Sequence, residues 1–273
     1  MQLAAIQLRS GTDVDENLLA SSELIIKAKE AGADFIATPE MTHLLQLSPK
    51  RLFAAIEPET EDKGVAHYSA LACELGVSLL IGSMAIAHSE TKALNRSYLF
   101  GSDGTIIARY DKIHLFDVTL SKTETYKESH VYLAGDQAVL VDVDDMCVGL
   151  SICYDLRFAD LYRSYAQAGA HVITAPAAFT KPTGEAHWET LLRARAIETG
   201  SFIIAPAQGG LHADGRHTWG RSMIIGPWGD IRAQLDHDEP GFISAVIDLS
   251  DVALARRKIP AWQHNRSYSA DFS

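Results

Sequence analysis

The chain is predicted to be an α/β protein built on mixed β-sheets. Short apolar runs alternate along it with segments in which apolar residues recur at helical spacing. Two further pairs of runs are separated by turn residues, which is typical of β-hairpins. Alternating strands and helices favour parallel pairing, whereas hairpins pair antiparallel. Both signals together predict mixed sheets, with apolar helices covering one side of each.

The predicted strands are short and mostly aliphatic. They cover residues 3–8, 34–38, 77–83, 138–143, 146–152, 171–175 and 202–207. The predicted hairpins cover residues 97–110, with a turn at Ser102-Asp103-Gly104, and residues 221–233, with a turn at Pro227-Trp228-Gly229-Asp230.

Three segments are predicted to be helices, and each stops directly before a glycine. They cover residues 17–31, 65–75 and 185–199, and the glycines are Gly32, Gly76 and Gly200. Glycine is favoured after the last helical turn because it adopts the left-handed conformation without a steric cost.

Composition limits the possible partners. The chain has 273 residues and a formal net charge of −11. It lacks a linker rich in Ser, Pro or Gly, so we expect one domain over residues 1–273. The negative charge argues against a nucleic acid or an anionic membrane as partner, although a local arginine can still bind a small anion.

The N-terminus and the cysteines favour a cytoplasmic protein. Residues 1–8 lack the basic and long apolar segments of a targeting sequence and are typical of a first strand. Three cysteines, an odd number, do not suggest a secreted disulfide framework. Cys147 and Cys153 lie about 20 Å apart along one predicted strand, so they cannot form a disulfide there.

Cys153 is a candidate nucleophile because it follows a predicted strand and precedes a helical pattern. A helix N-terminus stabilises a thiolate, so we expect a lowered thiol pKa at this junction. The alternative is a small buried hydrophobic residue, the commoner state of a free cysteine. Partners elsewhere in the chain must decide between the two.

Two charged residues are candidate partners for this thiol. Glu40 follows the predicted strand 34–38, and Lys112 follows the second strand of the first hairpin. Catalytic groups commonly gather at strand ends of α/β sheets. Taken singly, each is more simply interpreted as a solvated loop residue.

Together these segments resemble the nitrilase superfamily of carbon–nitrogen hydrolases over nearly the whole chain. The Glu-Lys-Cys triad of that family matches Glu40, Lys112 and Cys153. A second glutamate of the family, which hydrogen-bonds near the lysine, matches Glu128. The resemblance implies an αββα sandwich of two mixed β-sheets flanked by helices, and a homodimer or larger homo-oligomer.

Other segments resemble the branch of this superfamily that contains deaminated-glutathione amidase and omega-amidase. They are residues 182–189, 191–199, 227–229 and 260–266. Two positions depart from the branch: Arg221 stands where a histidine is usual, and Gly226 replaces a residue that is commonly polar. The departures are either neutral packing changes or changes to the pocket or a subunit contact.

The resemblance implies hydrolysis of a small carboxamide to a carboxylate and ammonia through a cysteine thioester. Glu40 acts as the base, Cys153 as the nucleophile, and Lys112 with the backbone N–H of Tyr154 holds the oxyanion. The expected substrate is a 2-oxo acid amide such as deaminated glutathione or 2-oxoglutaramate. The alternatives are an N-carbamoyl amide or a nitrile, or a catalytically silent binding protein, against which the intact set of four residues argues.

Three residues are candidates for binding the substrate. Arg157 follows Cys153 closely and is suited to a bidentate contact with a carboxylate, or else pairs with an acidic residue of the protein. Phe179 and Thr180 follow a predicted strand and either line the pocket or serve as packing and capping residues.

No cofactor or metal is expected. The sequence has no glycine-rich phosphate-binding pattern. His212 and His217 lack the paired cysteines or third ligand that zinc normally needs. A Cys-His protease is also disfavoured, because no distinctive segment of such proteases surrounds Cys153.

Overall fold

Seventeen strands and six α-helices make up the computed structural model, which describes residues 1–122 and 124–270. The strands are β1 (Gln2–Gln7), β2 (Phe35–Ala37), β3 (Ser78–Ala87), β4 (Ala93–Phe100), β5 (Ile106–Asp111), β6 (Asp117–Thr119), β7 (Thr125–Lys127), β8 (Tyr132–Leu133), β9 (Leu140–Val143), β10 (Met146–Gly149), β11 (Val172–Thr174), β12 (Phe202–Ala205), β13 (Gly209–Leu211), β14 (His217–Trp219), β15 (Met223–Ile225), β16 (Ile231–Gln234) and β17 (Gly241–Val246). The α-helices are α1 (Val14–Glu30), α2 (Pro49–Phe53), α3 (Lys63–Leu75), α4 (Ala159–Gln167), α5 (Lys181–Thr199) and α6 (Ser250–Lys258).

Two mixed sheets form the centre of the fold. The seven-stranded sheet has the order β17-β1-β2-β3-β4-β5, with β8 beside β4, and the six-stranded sheet has the order β16-β15-β12-β11-β10-β9. Strands β1, β2 and β3 pair in parallel, as do β10, β11 and β12, and the remaining pairs within each order are antiparallel. The expectation of mixed sheets is therefore confirmed.

The side chains of each strand alternate between the two faces of the seven-stranded sheet. Leu3 and Ala5 of β1 contribute to a core shared with the six-stranded sheet and with α4 and α5. Ala4 and Ile6 point the other way, into a second core shared with α1 and α3. Successive side chains of a strand face opposite sides, so one short strand supplies both cores. The result is the expected order of helix, sheet, sheet and helix.

The three predicted helices are confirmed, but each begins earlier than expected. Helix α1 begins at Val14, directly after Asp13, whose side chain accepts the N–H of Glu16. Asp62 caps α3 in the same way. Capping residues precede the first apolar position, so apolar spacing alone places the start too late. The predicted stops are accurate, since Gly76 and Gly200 adopt the left-handed conformation with φ of 58° and 60°.

Both predicted hairpins are confirmed as the pairs β4–β5 and β15–β16. Strand β17 and helix α6 were not predicted. Helix α6 is largely polar and carries no strong apolar pattern, whereas β17 lies in the apolar run Phe242-Ile243-Ser244-Ala245-Val246-Ile247, which is typical of a strand. The predicted strand 146–152 is shorter than expected, because β10 ends at Gly149 and the next residues turn toward the site.

Candidate active site

Cys153 lies in a tight turn beyond the carboxyl end of β10. It begins a 3₁₀ turn, Cys153–Arg157, with a left-handed φ of 51°. The predicted direct passage from strand to helix is wrong, because α4 begins only at Ala159. A side chain in the left-handed region is rare, so the surrounding contacts must maintain this conformation.

Asp155 is the centre of the contacts that hold this turn. Its carboxylate, fully buried, accepts the N–H of Ile152 at 2.8 Å and the hydroxyl of Tyr110 at 2.7 Å. The backbone N–H of His114 also donates to it, at 3.0 Å. The Cys153 N–H donates to the carbonyl of Pro176 at 2.8 Å. The turn is thereby tied to β5 and to the segment after β11.

The expected lowering of the Cys153 pKa is wrong. Burial and the negative charge of Glu40 raise the pKa of the thiol well above its ordinary value. The nearby Lys112 charge and the N–H of Ala178 act in the opposite direction but do not outweigh them. Burial beside a carboxylate, at the start of only a short turn, therefore favours the neutral thiol over the thiolate.

Glu40 follows β2 and contacts the thiol of Cys153 through a side-chain hydrogen bond. Its Oε1 accepts from Lys112 Nζ at 2.8 Å, and its Oε2 accepts from the N–H of Ala178 at 3.0 Å. Burial opposes the charge of this carboxylate, but these positive and hydrogen-bonding partners lower its pKa below the ordinary value. Glu40 is therefore ionised and oriented toward the thiol.

Lys112 lies directly after β5 and is buried between two carboxylates. Its Nζ is 2.8 Å from Glu40 Oε1 and 2.9 Å from Glu128 Oε2. Burial disfavours its charge, yet Glu128 and Glu40 raise its pKa well above the ordinary value. The structure thus brings Glu40, Lys112, Glu128 and Cys153 together, from four separate segments of the chain.

Asn95 also belongs to this cluster and was not predicted. It lies in β4, fully buried, and its Nδ2 donates to Glu40 at 2.9 Å and to Glu128 at 3.0 Å. The sequence gives only a weak signal for it, because Asn95 begins the polar stretch Asn95-Arg96-Ser97 within the strand Ala93–Phe100, and its complete burial appears only in the structure. Asn95 fixes the two carboxylates relative to each other.

A pocket of about 360 Å³ opens above these residues. Glu40, Lys112 and Cys153 are among its polar lining residues, and Phe179 and Thr180 also line it. Phe179 also packs on Trp188, with ring centroids 5.0 Å apart, and Thr180 precedes α5. Both residues therefore line the pocket and serve the packing of α5.

Arg157 lines the same pocket. Its guanidinium lies 5.3 Å from the ring centroid of Phe179 and 5.8 Å from that of Tyr154. A nitrogen of this guanidinium is 3.3 Å from His187 Nδ1. No acidic residue in the described part of the chain pairs with Arg157, so the alternative of a structural ion pair finds no support there.

The two departures from the branch lie outside the pocket lining. Arg221 has a left-handed φ of 62°, its guanidinium covers Trp219 at 5.1 Å, and its carbonyl accepts from the indole of Trp188. A Cβ at Gly226 would lie 2.6 Å from an oxygen of Asp230. Arg221 therefore packs in the segment that joins β14 to β15, and Gly226 lies in the turn of the hairpin β15–β16.

Within residues 1–122 and 124–270, no group of three or more His, Cys, Asp or Glu side chains is arranged to hold a metal ion. His212 instead contacts the carbonyl of Ser10 and the hydroxyl of Thr218. None of the described helices has the length and apolar character needed to cross a membrane.

The fold and the site define a carbon–nitrogen hydrolase. The sequence profile of this family, carbon-nitrogen hydrolase, matches residues 2–257, and the chain belongs to the family. The protein is an amide-cleaving enzyme of the nitrilase superfamily, as the resemblance implied.

Two similar proteins are deaminated glutathione amidases. That of Synechocystis sp. is 40% identical over 267 residues, which cover 96% of each chain. That of Yersinia enterocolitica is 38% identical over 271 residues, which cover 98% of this chain and 94% of the relative. Among solved structures, the NitFhit protein of C. elegans is 33% identical with a TM-score of 0.87, and the match covers 97% of this chain and 65% of that longer chain.

Proposed function

We propose that this hydrolase cleaves the distal amide of a 2-oxo acid through a thioester on Cys153. The observation that carries the proposal is the buried cluster in which Glu40 contacts both the thiol of Cys153 and the ammonium of Lys112. It supplies a base, a nucleophile and a fixed positive charge at the floor of one pocket.

In the first step the Cys153 sulfur attacks the amide carbon while Glu40 accepts the thiol proton. Because the thiol pKa is raised and that of Glu40 is lowered, a resting thiolate is not the reactant. Proton transfer must accompany formation of the C–S bond. A thiol of high pKa is also the better nucleophile once it loses its proton.

The developing oxyanion is held by the Lys112 ammonium and the backbone N–H of Tyr154. Lys112 is already paired with two carboxylates, so its position requires no rearrangement during the reaction. Such preorganised donors act more strongly where water is excluded. Glu128 and Asn95 keep the lysine charged and in place.

The intermediate then breaks its C–N bond. Glu40 returns the proton to the leaving nitrogen, which departs as ammonia or an amine and leaves a thioester. A water molecule, deprotonated by Glu40, attacks the thioester carbon, and the C–S bond breaks. The proton held by Glu40 restores the Cys153 thiol, and the product is a carboxylic acid.

The proposed substrates carry a 2-oxo carboxylate, which Arg157 is placed to bind in the pocket. The names of the similar amidases point to deaminated glutathione. From 2-oxoglutaramate the leaving group is ammonia, whereas from deaminated glutathione it is the amine of cysteinylglycine. A pocket of about 360 Å³ lies at the lower end of the range for ligand sites, roughly 300–1,000 Å³, and suits molecules of this size.

The proposal is tested with the purified enzyme and a panel of substrates. The panel contains deaminated glutathione, 2-oxoglutaramate, an N-carbamoyl amino acid and an aliphatic nitrile, and product acid is measured by mass spectrometry. We expect kcat/KM for the 2-oxo acid amides to exceed the others by at least about a hundredfold. Preference for the carbamoyl compound or the nitrile would reject the substrate class. If the protein hydrolysed none of these compounds, the result would favour a catalytically silent binding protein.

We also propose a cytoplasmic homodimer. The three free cysteines support a reducing compartment. Large apolar side chains are exposed at Val246 of β17, at Leu254 of α6 and at Ile259, and burial in a dimer interface would remove them from water. Light scattering coupled to gel filtration measures the mass, and a monomer at micromolar concentration would contradict the dimer.

A further inference from the structure

A second arginine, Arg216, lines the pocket and has no part in the reaction described above. It lies in the turn that joins β13 to β14, where its backbone N–H donates to Asp214 at 2.9 Å. Its Nε is buried without a hydrogen-bond partner. Its guanidinium also has no carboxylate partner within residues 1–122 and 124–270. Burying a cationic N–H group without a hydrogen-bond partner is unfavourable unless a ligand supplies the acceptor.

A row of contacting aromatic rings connects the surroundings of Arg157 with those of Arg216, and both arginines line the same pocket. Arg157 covers Tyr154 at 5.8 Å, and the ring of Tyr154 meets Phe116 at a centroid distance of 5.2 Å. Phe116 in turn contacts Tyr126 at 5.2 Å, and the charge of Arg216 acts on the Tyr126 hydroxyl. Tyr154, next to Cys153, therefore lies at the Arg157 end of this row, and Tyr126 lies at the end that the charge of Arg216 reaches.

This arrangement suits a substrate with an anionic group on each side of the scissile amide. One side of the amide is the acyl part, which remains on Cys153, and the other is the leaving amine. Guanidinium groups bind carboxylates in a bidentate manner and carry a permanent charge. Two of them in the lining of one pocket can each bind one end of such a substrate.

We propose that Arg216 binds a carboxylate carried by the leaving amine, while Arg157 binds the 2-oxo carboxylate of the acyl part. The inference rests on the proposed function and extends it to the leaving group. Deaminated glutathione carries both carboxylates, whereas 2-oxoglutaramate carries only the one on the acyl side. Arg216 thereby selects peptidyl amides with a free C-terminus over primary amides.

The first test uses the unmodified enzyme and two matched substrates, deaminated glutathione and its C-terminal glycinamide. They differ only in the charge that Arg216 is proposed to bind. We expect kcat/KM to be about ten- to a hundredfold lower for the glycinamide, the range of one charge-assisted hydrogen-bonded contact. Equal kcat/KM values would overturn the inference without any variant.

The second test compares Arg216→Gln with Arg157→Gln on deaminated glutathione, its glycinamide and 2-oxoglutaramate. Arg216→Gln should lower kcat/KM about ten- to a hundredfold on deaminated glutathione only, mostly through KM. Arg157→Gln should lower it on all three, because each carries the 2-oxo carboxylate. Arg216→Lys should recover part of the selectivity, since it keeps the charge but loses the planar fork.

The ratio between substrates within one variant separates binding from misfolding, because damage to the fold lowers all three rates together. If Arg216→Gln lowered kcat/KM on all three substrates by the same factor, and its circular dichroism matched that of the unmodified enzyme, the proposed role of Arg216 would be overturned. Failure of the unmodified enzyme to hydrolyse any of the three would instead reject the proposed function.

Discussion

Glu40 joins the reactive groups of the pocket, since its carboxylate contacts the thiol of Cys153, the ammonium of Lys112 and the N–H of Ala178. The two oxygens of this carboxylate have different hydrogen-bond partners. One is bound to the lysine and to Asn95, and the other to the backbone after β11. A carboxylate held at both oxygens cannot rotate away from the thiol, which is the orientation that the proposed base needs in both proposed half-reactions.

Replacement of the nucleophile is the first residue-scale prediction. Cys153→Ala should abolish amide hydrolysis but leave the fold intact, because a similarly small side chain occupies the turn. Enzyme quenched during turnover should carry an acyl adduct on the peptide that contains Cys153. Activity near the unmodified rate in a folded variant, or an adduct on Cys73 or Cys147 instead, would reject this nucleophile.

A second prediction distinguishes the proposed roles of Glu40 as base and Lys112 as oxyanion donor. Lys112→Met keeps a similar stem but removes the charge, so thioester formation should slow about a hundred- to a thousandfold, equivalent to about 3–4 kcal/mol. Glu40→Gln removes the base and should slow both formation and hydrolysis of the thioester. Single-turnover measurements compare the two steps, with circular dichroism as the control. Thioester formation at the unmodified rate in Lys112→Met would exclude the oxyanion role.

Among the elements, helix α5 positions one wall of the pocket. It begins directly after Phe179 and Thr180 and packs on strand β14, which follows Arg216. The contact depends on Gly184, where a Cβ would lie 2.2 Å from the Cβ of Trp219. The absence of a side chain at Gly184 therefore lets the helix approach the hairpin that carries Arg216.

Gly184→Ala is the prediction for this contact. Alanine favours a helix by about 1 kcal/mol over glycine, so a loss of stability here would come from the clash with Trp219. We expect a net destabilisation of about 1–3 kcal/mol, measured by urea unfolding. Gly11→Ala is the matched control, because the nearest atom to its added Cβ is 3.7 Å away. Equal stability of the two variants would show that the close approach is not required.

At the scale of the whole molecule, the buried side chain of His43 predicts that the protein loses stability in acid. His43 is buried, and burial together with the charge of Lys63 lowers its pKa from 6.5 to about 4. It is neutral in the folded state and takes up a proton near its ordinary pKa when unfolded. The unfolded state therefore binds more protons between these values, and stability falls as the pH drops through this window.

The expected loss between pH 6.5 and pH 4 is about 3 kcal/mol from this residue. Urea unfolding at several pH values measures it in the unmodified protein and in His43→Gln. The variant is expected to be less stable at pH 7 but to lose less stability on acidification. Parallel pH profiles for the two proteins would contradict the assignment to His43.

Much of the fold was predictable because it depends on local patterns. Apolar spacing and glycine stops located α1, α3 and α5, and turn residues located both hairpins. Helix α6 was not predicted, since packing against the rest of the molecule, and not its own largely polar sequence, forms it. Local propensity cannot reveal such elements.

The sequence by itself indicated the family and the candidate residues Glu40, Lys112 and Cys153, because the segments that carry them together resemble the nitrilase superfamily. The tertiary structure alone decided the direction in which the pKa of the thiol shifts, since burial beside a carboxylate outweighs the effect expected of a helix end. It alone brought Asn95 and Arg216 to the pocket. Electrostatic interactions depend on distances between residues far apart in the chain, and those distances exist only after the two sheets have packed.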